Sequence, residues 1–296
     1  MKTTLDELQT FITIVDTGSI SAAAEELNQT PSGISRTLAR LEKKLRVTLL
    51  RRTTRKLDLT AEGERFLQSS REVIQALENA EESVGSKSTP SGVLRIDSAS
   101  PFILHSVVPY LNEFHKLYPE VQVELFNSER NIDLIENRID VAIRLGELAD
   151  SSLHAVSLGQ SKRRVLASPQ YLKAYGTPKS VEDLQNHVLI GFTDPQKLNH
   201  WPLKYNGGTR YPIKAKFSAS SGETILRMVK SGLGIACLGD FMTIPERESG
   251  DLVQVLPGAA IEQKEQIHAI YYKNAQLSLR ADVFIKFLKS KLKNAL

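Results

Sequence analysis

Apolar positions in the first sixty residues fall into three successive runs at helical spacing. Leu5, Leu8, Phe11, Ile12 and Val15 form one stripe, which predicts a helix that Gly18 closes. Ile20, Ala23, Ala24 and Leu27 form a second, with Ser19 or Ser21 as its cap. After the polar turn Asn28-Gln29-Thr30, Thr30 is placed to cap a third helix. Pro31 suits the first turn of that helix, and Ile34, Leu38, Leu41 and Leu45 face inward. Val47–Arg52 and Arg55–Leu59 then alternate well enough to predict a short hairpin with Thr53-Thr54 at its tip. From Ala61 to Val84 there is no proline and only the early Gly63. Phe66, Ser70, Val73, Leu77, Ala80 and Val84 recur there as a heptad seam, which predicts a dimerising helix.

The pattern changes at residues 85–92, a small, polar, helix-breaking stretch that reads as a hinge. Beyond it, short apolar strands alternate with helical segments. Val93-Leu94-Arg95-Ile96 is followed by a helix over Pro101 to Tyr118, and then come Val121 to Phe126, Val141-Ala142-Ile143, Val165-Leu166-Ala167, Val188-Leu189-Ile190, Ile235 to Leu238 and Ala269 to Tyr272. That rhythm predicts an α/β sheet with parallel strands, whose ligands bind beyond the carboxyl ends of the strands. Two such ends, Asp97-Ser98-Ala99-Ser100-Pro101 and Ser218 to Glu223, carry hydroxyls just before a helix start. They suit an anion as well as ordinary capping.

Composition and charge narrow the function. The chain has 296 residues, enough for two or three compact units, and no apolar run of eighteen. A cytoplasmic protein with no membrane partner is therefore expected. Cys237 is the single cysteine, so no intramolecular disulfide or cysteine-based zinc cluster is available. The net charge is only +4, yet between Pro31 and Leu57 nine cations stand against Glu42 alone. A basic block on an otherwise mildly acidic chain fits a phosphate-backbone footprint. On the outward face of the third helix lie Ser32, Ser35, Arg36, Ala39, Arg40 and Lys43, short hydroxyls near the helix start and arginines a turn on, as a major-groove helix requires. No G-x-S-x-G, H-E-x-x-H or Walker loop occurs, and the six histidines lack ligand spacing, which argues against an enzyme and against a bound metal or cofactor.

Ser21-x-Ala23-Ala24-x-x-Leu27, Ser32-x-x-Ser35, Leu41-Glu42-x-x-Leu45, Arg52 and Leu59-Thr60-Ala61-Glu62-Gly63 resemble, in order and register, the signature of LysR-type transcriptional regulators. Gly33 and Arg46 depart from it, standing where a small residue such as alanine and a glycine are usual. The resemblance implies a fold of mixed class: a winged helix-turn-helix over residues 1–60, a coiled-coil linker helix over 61–84, and an α/β effector domain over 93–296. Ser220-Ser221-Gly222-Glu223 and Ser231 to Ala236 extend the match, and the effector domain would be similar to type 2 periplasmic binding proteins. Its first lobe would span about 93–162 and 269–296, and its second about 163–268. The implied partners are double-stranded DNA, a small-molecule effector, a second copy in a homodimer or homotetramer, and RNA polymerase as a further candidate. DNA would be met by Ser21, Thr30, Pro31, Ser32, Ser35, Arg36, Arg40, Arg51, Arg52, Thr53 and Arg55. The effector, an organic anion as one candidate, would be met by Ser98, Ser100, Arg144, Phe192, Thr193 and Ser220, and Arg144, if it points inward, would favour a carboxylate ligand. The dimer seam would use Phe66, Val73, Leu77, Ala80 and Val84.

Overall fold

The computed structural model describes residues 3–52, 57–84, 89–129, 132–148, 153–272 and 277–295. It divides into two compact units, one built mainly on the chain before residue 89 and the other mainly on the chain after it.

The first unit opens with α1 (Leu5–Thr17), α2 (Ile20–Glu26) and α3 (Pro31–Leu45). Each start is capped as its residues dictate. Thr4 and Glu7 form a reciprocal capping box on α1, Ser19 accepts from the Ala22 amide on α2, and Thr30 accepts from the Gly33 amide on α3. Ser19, not Ser21, is thus the α2 cap, which leaves Ser21 exposed. Gly18 ends α1 in the left-handed conformation, and Arg46 adopts the same conformation after α3, where a glycine carries no Cβ penalty. Phe11, Ile14, Ala23, Ile34, Leu38, Leu41 and Leu49 close one apolar core between the three helices.

β1 (Leu50–Arg52) and β2 (Leu57–Leu59) pair antiparallel, with Arg51 opposite Asp58. α4 (Ala61–Val84) follows, and the residues that launch it have separate tasks. Thr60 accepts from the Gly63 amide and donates to the carbonyls of Thr48 and Leu49. Gly63 lies against the Leu49 carbonyl, which a Cβ would approach to 2.1 Å. Glu42 accepts from the Leu49 and Leu50 amides and so ties β1 back to α3.

The second unit contains β3 (Gly92–Ser98), α5 (Ser100–Phe102) running through a π-helical turn (Ile103–Val107) into α6 (Val108–Leu117), β4 (Val121–Asn127) and β5 (Val141–Leu145). It continues with β6 (Leu153–Ala167), α7 (Pro169–Tyr175), β7 (Leu189–Phe192), β8 (His200–Trp201), β9 (Tyr211–Pro212) and β10 (Phe217–Ala219). α8 (Gly222–Lys230), β11 (Ile235–Gly239), α9 (Ile244–Glu248), β12 (Val253–Gln254), β13 (Lys264–Tyr272) and α10 (Leu279–Ala295) complete it. The strand order is β10-β7-β11-β6-β13-β5-β3-β4, with β12 also on β6.

The parallel arrangement expected for this sheet holds in two blocks, β4-β3-β5 and β10-β7-β11. Between them, β6 and β13 run antiparallel to each other and to their neighbours. The sequence signalled only Val165-Leu166-Ala167 of β6, because its earlier part carries polar residues such as His154, Ser157, Gln160 and Lys162. β6 pairs with β13 up to Lys162 and with β11 from Arg163 onward, so one strand serves both blocks. Phe114, Phe284 and Phe287 pack α6 against α10, and Tyr171, Trp201 and Cys237 lie in the core beside β11. Burial pushes the Cys237 thiol up to about 11, so it stays protonated and unreactive at neutral pH.

Candidate functional site

The outward face of α3 is set by its inward one. With Ile34, Thr37, Leu38 and Leu41 buried, the helical period leaves Ser32, Arg36, Ala39, Arg40 and Lys43 exposed together. Thr30 and Pro31 are exposed at its start, and the Thr30 hydroxyl lies 3.2 Å from that of Ser32. Ser35 is half-buried on the same helix. Arg36 donates from Nε to the Ser32 carbonyl one turn back, which holds its guanidinium along the helix. Arg51 is exposed on β1, and Arg52 follows it on the strand. Thr53 and Arg55 lie outside the described residues, as does the side chain of Arg52.

Glu7 is not among the residues that the sequence marks for the site. Its side chain is fully buried, with its carboxylate 2.7 Å from Arg40 Nε and 2.7 Å from Lys44 Nζ. Burial alone would raise its pKa, but hydrogen bonds from Lys44, Arg40 and the Thr4 amide outweigh this and hold it at about 2. Arg40, 54% exposed, is therefore anchored at Nε, and its Nη2 lies 3.9 Å from the exposed Asp6 carboxylate. The Thr4-x-x-Glu7 spacing of a capping box was the available signal for Glu7. Because the folded unit binds the Glu7 proton less readily than the unfolded chain does, this group adds stability above its ordinary value near 4.5. That stability is lost as pH falls toward 2. Acid unfolding of the first unit is expected to show this loss between those limits, and Glu7→Gln is expected to flatten it; an unaltered acid limb in the variant would contradict the assignment.

Part of the expected α4 seam turns inward instead. Phe66 packs on Phe11 with ring centroids 5.6 Å apart, Ser70 is buried, and Leu67 and Ile74 join the core of the first unit. The reason is that three short helices leave that core open on one side, and the start of α4 closes it. Arg71 pairs with Asp16 of α1 at 2.6 Å and fixes that packing. Val73 is 48% exposed, Ala80 is exposed, Leu77 is half-buried, and the side chain of Val84 is outside the described set.

In the second unit the expected ligand residues differ in burial and in their partners. Ser98 is fully buried at the end of β3 and donates to the Ile143 carbonyl at 3.0 Å, a bond internal to the sheet. Arg144 is committed to Asp97, with Nη2 2.5 Å from a carboxylate that has no solvent exposure. It also donates to the Ile143 carbonyl. The Arg144 charge therefore already has a partner within the sheet, as a buried carboxylate requires. The Ser100 amide donates to Glu129 Oε1, so a carboxylate of the chain already lies at that helix start. Thr193 and Ser220 are exposed, while Phe192 is half-buried and held through its backbone by Asn199 on both sides.

Around these residues the helical segments that follow the two strand blocks meet. Phe102 packs on Phe241 at 5.5 Å, Gly222 gives room to Pro101, and His105 Nε2 lies 2.8 Å from Glu223. Burial works against ionising Glu223, but hydrogen bonds from His105 and Arg227 outweigh it and lower its pKa. A cavity of about 370 Å³ opens elsewhere, between Gly146-Glu147 after β5, the first half of β13, Arg163 of β6 and the segment holding Lys197, His200 and Arg210. Sequence reasoning missed it because its residues come from four separated segments that carry no motif. Among the described residues no helix is long and apolar enough to cross a membrane, and no group of three or more His, Cys, Asp or Glu is placed to hold a metal.

Comparison with known proteins gives the same two-part division. Residues 5–64 match the model for the bacterial regulatory helix-turn-helix protein, lysR family, and residues 87–293 match the LysR substrate binding domain. The HTH-type transcriptional regulator CrgA of Neisseria meningitidis serogroup C is 42% identical over 297 residues, covering 100% of this chain and 99% of its own. The HTH-type transcriptional activator TtdR of Escherichia coli K12 is 33% identical over 287 residues, covering 95% and 91%. Among solved structures, that of Neisseria meningitidis CrgA aligns with a TM-score of 0.67 at 41% identity, over 98% of this chain and 99% of its own. The full-length Vibrio cholerae virulence activator AphB aligns with a TM-score of 0.61 at 29% identity, over 99% and 100%.

Proposed function

The chain belongs to the LysR family of DNA-binding transcriptional regulators, and from that premise we propose that it reads an operator as a dimer under the control of a small molecule held in its second unit. Its relatives are regulators and not enzymes. The observation that carries the reading is the exposed face of α3, where Ser32, Arg36, Ala39, Arg40 and Lys43 stand together on a well-capped helix. In the major groove, Arg36 is suited to a base edge, Ser32 and Ser35 to base edges or phosphates near the helix start, and Arg40 to a phosphate in the orientation Glu7 sets. Ser21, Thr30 and Pro31 would approach the backbone beside them. Arg51 and Arg52, with Thr53 and Arg55 beyond the described residues, would lie along the adjacent backbone. A second copy would meet α4 through Val73, Leu77, Ala80 and Val84. Such a pairing sets the spacing of two half-sites.

The test is binding to DNA from upstream of the gene itself, followed by fluorescence anisotropy at several salt concentrations. Arg36→Ala is expected to cost about 1–3 kcal/mol on the specific site and to relax its sequence preference. Arg51→Ala is expected to weaken specific and non-specific DNA alike and to reduce the salt slope by about one. Unchanged binding by both variants would remove α3 and the hairpin from the interface.

A further inference from the structure

From Pro195 to Gly222 the chain carries five cations, Lys197, Lys204, Arg210, Lys214 and Lys216, and no carboxylate. This is a second basic block, and the fold lays it out on the surface of the second unit. β8 and β9 form a hairpin, and the Ile213 amide continues the pairing by donating to the Asn199 carbonyl. Along the arm that leaves the hairpin, burial alternates. Tyr211 and Ile213 pack on the core, and Ile213 and Ala215 lie over Gly191, where a Cβ would stand 3.1 and 3.0 Å from them. Arg210, Pro212, Lys214 and Lys216 are exposed between them, as is Lys204 on the hairpin's other arm. Among the described residues none of Lys204, Arg210, Lys214 and Lys216 forms an ion pair, whereas Lys162, Lys230, Lys286 and Lys291 of the same unit each do.

From this pattern we propose that the arm is a second, sequence-independent DNA contact, which holds phosphates of the duplex flanking the operator. The proposal rests on DNA binding by the first unit. With the operator held there, flanking duplex is present at high effective concentration, and phosphate contacts too weak to retain free DNA add to the affinity. Alternate side chains on an extended chain are about 6.6 Å apart, so Lys214 and Lys216 can meet successive phosphates of one strand. The residue type also favours DNA over an acidic protein surface. Lysine is depleted at protein interfaces, where aromatic residues and arginine are enriched. As a mobile point charge it suits phosphates, which ask for charge and not for a fixed fork of donors.

The test uses the full-length chain and two duplexes, a short one trimmed to the operator core and a long one extended on both sides by random sequence. Lysine acetylation read by mass spectrometry is expected to show Lys204, Lys214 and Lys216 protected several-fold by the long duplex and not by the short one. Lys173, exposed on α7, is expected to react equally in both. In anisotropy titrations, Lys204→Gln/Lys214→Gln/Lys216→Gln is expected to weaken binding of the long duplex about tenfold and to reduce its salt slope by about three. Binding of the short duplex is expected to stay as it was, and an unaltered thermal unfolding curve would confirm that the triple variant is folded. Absent protection of the three lysines, or long-duplex affinity undiminished in the triple variant, overturns the inference. So does a triple variant that keeps both DNA affinities and loses transcription in a reconstituted assay, the mark of a protein partner. If the wild-type chain does not prefer the operator over random sequence, yet long random duplex still protects the three lysines, the reading of α3 falls and this contact stands.

Discussion

Arg144→Ala is expected to destabilise the second unit by about 3–5 kcal/mol, the cost of stripping the partner from a buried charge. For a unit of this size that corresponds to a fall of roughly 6–20 °C in its thermal midpoint. Asp97 has no solvent exposure, and its strand is hydrogen-bonded on both sides, to β4 and to β5, so the carboxylate cannot swing out to water. One of its oxygens, Oδ1, already lacks a partner among the described residues, and Arg144 donates to the other. Adding Asp97→Asn to the variant removes the orphaned charge and is expected to recover more than half of the loss. A midpoint unmoved by Arg144→Ala would mean that the pair is not the anchor of the β3–β5 junction.

Gly63→Ala is expected to have the opposite sign from an ordinary glycine replacement. Within an exposed helix the change to alanine stabilises by about 1 kcal/mol. Here the new Cβ would stand 2.1 Å from the Leu49 carbonyl oxygen and 3.0 Å from a Leu59 methyl, so α4 must move off the hairpin or β1 must leave Glu42. A loss of about 3 kcal/mol is expected in the unfolding of the first unit. Weaker DNA binding is also expected, although Gly63 would touch no DNA. Stabilisation on substitution would show that the helix start has room the geometry denies.

The first unit was legible because its signals are local. Helical spacing located Ile34, Leu38 and Leu41, and Thr30 and Pro31 marked the start of α3, since caps and periodicity depend only on neighbours within a turn or two. What escaped was long-range. Glu7 is separated by 33 residues from Arg40, so nothing in its own neighbourhood announced that pairing. Phe66 fitted a heptad seam and the core of its own unit equally well, and only the open side of three short helices decides between them. In the second unit, Arg144 and Asp97 are 47 residues apart, and the choice between a free arginine and a paired one rests on which strands lie side by side. At the polar strand ends the sequence leaves two roles open, because capping hydroxyls and ligand hydroxyls look alike in it. Ser98 shows the difference: its oxygen is spent on a sheet carbonyl.

The long pair β6 and β13 has a mechanical meaning. Both strands pass between the two parallel blocks as one hydrogen-bonded ribbon, so displacement of one block against the other must be taken up as torsion of a ladder and not as free rotation about single-chain loops. A ribbon of that kind resists large excursions and concentrates strain where its ladder is already irregular. The register slips between Ile267 and His268, where β6 carries Leu158 as an extra residue between the partners Gly159 and Ser157. Gln266 and His268 on either side of that slip also line the cavity. The interruption of the ladder and the cavity are therefore adjacent, so the cavity wall includes the one stretch where the β6–β13 pairing changes register.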